Sequence, residues 1–135
     1  MNAEAGAQTV LIRALVDQNK KVEAQNAVLE VRKALSQTAT PMLHLEADIA
    51  SASVLLASGN VAEARQRLQE SAEAARKHGF RRHMFEAQLL IGEAEWKAGH
   101  STSARAMLSS LAKDAEQRGF NLIARKARIK GRLSS

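Results

Sequence analysis

Histidines and carboxylates are the side chains of this chain best suited to binding a metal or moving a proton, so their spacing is the first test of chemistry. Four histidines stand at 44, 78, 83 and 100. They fall mostly at predicted helix ends, and none belongs to an HExxH arrangement, which would put two ligands and a general base on one helix face. His78 and His83 straddle a Gly-Phe turn, where a metal site would fall if the chain had one. The acidic pairs Glu46/Asp48 and Glu93/Glu95 are two residues apart, a spacing that sends them to different faces of a helix. The chain has no Cys, so neither a thiolate nucleophile nor a disulfide is possible. It has no Gly-rich phosphate loop and no nucleophile elbow. With no Tyr, three Phe and one Trp, it offers few rings to bury a cofactor. These residues argue against an enzyme, with no cofactor and no metal.

A different chemistry is concentrated at the C-terminal end. From Arg118 onward there are six basic residues (Arg118, Arg125, Lys126, Arg128, Lys130 and Arg132) and no acid, which equals the net charge of +6 and leaves the rest balanced. Arg125, Lys126, Arg128, Lys130 and Arg132 are therefore candidate contacts for nucleic-acid phosphates, by a binding that would weaken steeply with salt. An anionic membrane surface is a further option for such a helix. Against both, the stretch is short and lacks aromatics for base stacking. A terminal helix with one polar face is also what a stacked helical array needs for solubility.

The elements that would position these residues are helices. In 135 residues, enough for one domain, 45% are hydrophobic but only 3% aromatic, and Ala is heavily used. One Pro, at 41, and no strand-hairpin signal give an all-α fold. Apolar spacing predicts helices over about 4–17, 21–37, 41–58, 61–78, 81–98, 102–118 and 120–132. Val22, Val28, Leu29, Val31 and Leu35 are the expected buried stripe of the second. The break at 36–41, SQTATP, offers Thr40 as a cap with Pro41 in the first turn of the third helix. Ser101 is the expected cap of the sixth. No basic-then-apolar leader opens the chain and no apolar run would span a bilayer, which predicts a soluble, cytoplasmic protein with no membrane partner.

The segments RKHGF at 76–80 and EQRGF at 116–120 both close a helix, forty residues apart. Gly79 and Gly119 are read as left-handed stops, Phe80 and Phe120 as apolar plugs on the last turn. Arg76, Lys77 and Arg118 complement the negative helix end. The surroundings recur at the same offset: Gly59, Ala64 and Arg65 fall on Gly99, Ala104 and Arg105, and Leu45-Glu46-Ala47 on Phe85-Glu86-Ala87. A weaker first copy keeps Ala24 and Val28, and Ala127 and Ile129 continue the series. The chain thus reads as one domain, 1–135, of three hairpins over about 3–39, 40–79 and 80–119 plus a capping helix at 120–132.

Ile91-Gly92, Gly99, Ala104 and Leu108 resemble the tetratricopeptide repeat pattern. Gly59, Ala64, Leu68 and Ala52 continue it in the middle hairpin. The period of forty departs from the family's thirty-four, and the early helix-A aromatic and the closing Pro are absent. The likeness is nearest to longer variants that resemble C-terminal regions of bacterial kinases and transcriptional regulators. It implies a right-handed α-α superhelix whose first helices line a concave groove. The family's inner-face positions transfer to Arg13, Val16 and Asp17 in the first hairpin. In the second they are Glu46, Ile49, Ser53 and Leu56, and in the third Glu86, Leu89, Glu93, Trp96 and Lys97. The implied function is a scaffold that binds a protein or peptide partner, with Trp96 as anchor; Trp96 filling space between repeats, and Glu46 and Glu86 as merely solvated charges, are the plainer readings. Nucleic acid bound by the basic helix is the alternative partner. Pairing with a second copy is a further expectation, because no polar capping helix precedes the first hairpin.

Overall fold

A computed structural model describes residues 2–35 and 40–133. Among them there are seven α-helices and no strand: α1 (Asn2–Asp17), α2 (Lys21–Leu35), α3 (Pro41–Ala57), α4 (Val61–His78), α5 (Arg81–Lys97), α6 (Ser101–Gln117) and α7 (Asn121–Leu133). Each bound lies within two residues of the sequence expectation. Most of the SQTATP break, residues 36–39, lies outside the described residues.

The helices are punctuated by one joint used repeatedly. Asn19, Gly59, Gly79, Gly99 and Gly119 all have positive φ, between 61° and 90°. Behind the Gly119 joint, Gly119 N–H donates to the Glu116 carbonyl and Phe120 N–H to the Ala115 carbonyl, at 3.1 and 2.8 Å. This crossed pair satisfies carbonyls that a helix end leaves open. The same pair of bonds recurs at Gly99–His100, Gly79–Phe80, Gly59–Asn60 and Asn19–Lys20. The residue after each stop then accepts the first bond of the next helix, as in Ala104 N–H to the His100 carbonyl and Ala124 N–H to the Phe120 carbonyl. One residue therefore closes one helix and opens another. From Gly59 on, the joints fall every twenty residues, half the period visible in the sequence.

Two expected caps differ in detail. Ser101 is the first residue of α6, and His100, already tied to the helix behind, holds the N-cap position without a side-chain cap. Thr40 does hold the N-cap position of α3, ahead of Pro41, but makes no side-chain cap bond.

Asn19, with φ 61°, is the one joint residue here that carries a Cβ. A left-handed residue other than Gly costs about 1–2 kcal/mol, less for Asn than for most. Asn19→Gly is accordingly expected to be neutral or mildly stabilising in urea denaturation. Gly119→Ala, at φ 86°, should lose about 1 kcal/mol. Equal effects of the two changes would refute the left-handed assignment.

The chain divides into two compact units, Met1–Arg67 and Leu68–Ser135, at a point inside α4. In the first, α1 packs on α2 and α3, and α2 on α3. Its core is Ile12, Ala24, Val31, Ala47, Ala50 and Val54, with Leu15, Val16, Ala27, Val28 and Leu43 against it. The stripe of α2 that packs is thus 24, 27, 28 and 31. Val22 and Leu29, expected inside, are 68% and 65% exposed. They stand two residues from Ala24 and Val31, a step of about 200° that turns them away from the core. The side chain of Leu35 lies outside the described residues. Val10 and Leu11 of α1 are exposed as well.

In the second unit α6 packs on both α5 and α7, and α5 also touches α7. Phe85, Leu89, Leu108, Leu111, Ala112, Ala115, Ile123, Ala124 and Ala127 form the core, with Met84, Trp96 and Phe120 packed on it. Phe120 meets Phe85 edge to face, with ring centroids 5.4 Å apart. Phe80 stacks on His78 at 5.2 Å. Both expected plugs therefore lie against another ring. Beside the first plug, the Arg76 guanidinium is hydrogen-bonded to Glu73 and holds that carboxyl below the usual carboxylate range.

Candidate interaction surfaces

The residues assigned to a partner groove do not share one environment. In the N-terminal unit Arg13 is half-buried and Asp17 exposed on α1, and Glu46 is half-buried on α3. Ile49 and Ser53, on the same helix as Glu46, are interior, at 1% and 3% exposure. The Ser53 hydroxyl donates to the Ala50 carbonyl at 2.6 Å, the usual way a helix satisfies a buried Ser. Val16 is half-buried and Leu56 is buried.

On α5 the pattern is similar. Leu89 is buried in the C-terminal core. Glu86 and Glu93 are half-buried and Lys97 is exposed. Glu86 accepts from Arg82 at 3.2 Å, one turn back. Glu93 accepts from Lys130 of α7 at 2.5 Å. Trp96 is half-buried against the core, and the Arg105 guanidinium of α6 lies 5.5 Å from its ring centroid, a cation–π contact. Its indole Nε1 is buried without a hydrogen-bond partner. What Trp96 turns to solvent is therefore carbon surface alone.

The acidic and basic residues that could carry chemistry separate as their spacing implied. Glu93 goes to Lys130, whereas Glu95, at 8% exposure, lies 2.9 Å from His100 Nδ1. The Glu95–His100 pair was not anticipated, yet it has a local cause. Glu95 also supplies the carbonyl that the His100 N–H caps, so the joint itself brings the two side chains together. His78 and His83 both contact the Phe80 ring, His83 edge-on at 6.0 Å. Among the described residues, no group of three or more His, Asp or Glu could hold a metal ion, and no helix is long and apolar enough to cross a membrane.

Along α7, the most amphipathic of the seven described helices, Ile123, Ala124 and Ala127 face the core while Arg125, Lys126, Arg128 and Arg132 are exposed. Arg128 pairs with Glu116 of α6, and Lys130, half-buried, with Glu93. Arg125, Arg128, Ile129 and Arg132 line an open cleft of about 390 Å3 together with Glu116. Compared with known protein families, curated proteins and solved structures, the chain has no match.

Proposed function

We propose that this chain is a tetratricopeptide-like interaction module, a stack of helical hairpins that binds a protein or peptide segment through its first helices. The observation that carries the reading is Trp96. Its polar atom is buried and unpaired, Arg105 lies over its ring, and Lys97 stands exposed beside it. An aromatic ring with a cationic rim is the kind of feature on which binding energy concentrates in protein interfaces. Glu86 and Glu93, paired with Arg82 and Lys130, lie one to three turns back along the same helix, while buried Leu89 supports the surface from beneath.

Phosphate binding along α7 is the less favoured reading, because Arg128 and Lys130 already face Glu116 and Glu93. A peptide-display selection on the immobilised full chain tests the proposal, with affinities of selected peptides then measured at low and high salt. Binding should persist at 1 M salt and weaken about tenfold or more, roughly 1.4 kcal/mol, in Trp96→Ala. Lys97→Glu, at an exposed site, reports on the same surface without disturbing the core. Peptides indifferent to both changes would refute it.

A further inference from the structure

The open face of α7 has a counterpart inside the same unit. Forty residues earlier, Phe85, Leu89 and Gly92 form the face of α5 that meets α6: Phe85 and Leu89 share a core with Leu108, Leu111, Ala112 and Ala115, and the Gly92 backbone abuts Leu108. The same register on α7 gives Arg125, Ile129 and Arg132. On α7 that face bounds an open cleft. Ile129 keeps the apolar character of Leu89 but is 45% exposed. Leu122, two turns before it, is 60% exposed. Leu122, Arg125, Ile129 and Arg132 thus run along one side of the helix at spacings of three, four and three.

We infer that this stripe is a docking site for an acidic amphipathic helix supplied by another protein, seated on α7 as α6 seats on α5. The register argues for a helix as occupant, because this is the position at which the fold itself seats one. The charge argues for acid. Arg125, Arg128 and Arg132 line the cleft, with Arg128 paired to its one glutamate, Glu116, and Arg125 and Arg132 stand seven residues apart, about 10.5 Å along the axis. A partner helix with carboxylates two turns apart and an apolar residue between them matches both arginines and Ile129. Arginine is the residue suited to such bidentate pairing, and it is enriched in interfaces. A second copy presenting the same stripe would oppose arginine to arginine. A nucleic acid would leave Ile129 and Leu122 against phosphate and bring its charge toward Glu116. The site does not involve Trp96.

The test uses the full chain and three fluorescent probes. One is a blocked 17-residue helical peptide with leucines at the spacing of the α6 core positions and glutamates two turns apart. The second has lysine in place of each glutamate, and the third is a short DNA duplex. The acidic peptide should bind saturably, and the lysine twin should not. Arg125→Glu combined with Arg132→Glu should weaken the acidic peptide about tenfold or more, and Ile129→Asp comparably. Lys126→Glu, on the same helix but outside the stripe, and Lys97→Glu should leave it within about twofold. All five sites are exposed, and far-UV circular dichroism checks that each variant folds. The inference is overturned if neither peptide binds, if both bind alike, or if Lys126→Glu is as damaging as Arg125→Glu. It is also overturned if the duplex binds with steep salt dependence and displaces the peptide. The Trp96 surface stands or falls separately, through Lys97→Glu.

Discussion

Gly92→Ala is expected to destabilise the protein by about 1–3 kcal/mol, although the same change in an open helix interior would gain about 1 kcal/mol. The sign follows from distance. A Cβ built on Gly92 would lie 2.6 Å from Leu108 Cδ2 and 2.8 Å from Cγ, inside any tolerable carbon–carbon contact. Leu108 cannot swing aside, because it is 1% exposed and closed in by Leu111, Ala112 and the α7 residues of the core. The helices must separate or Leu108 must leave its rotamer, and either outcome loosens the contact on which α5 and α6 are built. A double-mutant cycle isolates this. Leu108→Ala alone should cost about 2–5 kcal/mol through its cavity. In combination with Gly92→Ala the loss should fall short of the sum by about 1–3 kcal/mol, since the new methyl then occupies vacated space. Urea denaturation of the four proteins reads the coupling, and strict additivity would show that the two residues do not press on one another.

The second large effect is at Phe85, the bulkiest fully buried side chain. Phe85→Ala is expected to cost about 3–5 kcal/mol, a large share of the 5–15 kcal/mol that typically holds a domain. Phe85 contributes its own burial and also supports the Phe120 ring that closes α6. Phe120→Ala should cost less, because Phe120 is only half-buried, and the pair should show an aromatic coupling of about 0.5–1.5 kcal/mol. Thermal unfolding followed by circular dichroism measures all three variants. A loss below about 1 kcal/mol at Phe85 would mean that α5 and α6 are not joined through this ring.

Four of the helices, α3 to α6, were legible because each announces its end. Gly59, Gly79, Gly99 and Gly119 mark stops that no pattern of hydrophobicity could place so sharply, and Pro41 marks a start. The buried face of α2 was harder to find. Its packing runs through Ala24 and Ala27, small residues with little hydropathic weight, while the larger Val22 and Leu29 face outward. On this helix side-chain volume does not track burial. The candidate groove positions are mixed in burial: Ile49, Ser53 and Leu89 lie inside, while Glu86, Trp96 and Lys97 reach the surface. The link between Glu93 and Lys130 spans 37 residues, and nothing in a single sequence pairs residues across such a gap.

The shared hinge residue between neighbouring helices has a consequence for how such a chain can change over time. Lys20, Asn60, Phe80, His100 and Phe120 each serve two helices at once, so at these five joints there is no slack at which a stray insertion or deletion could be absorbed. Different side chains fill that place in the five joints, whereas a change of length at any of them would break one helix's closing bond or the next helix's first. Adding or removing a whole block with its joint intact would leave every one of these bonds in place.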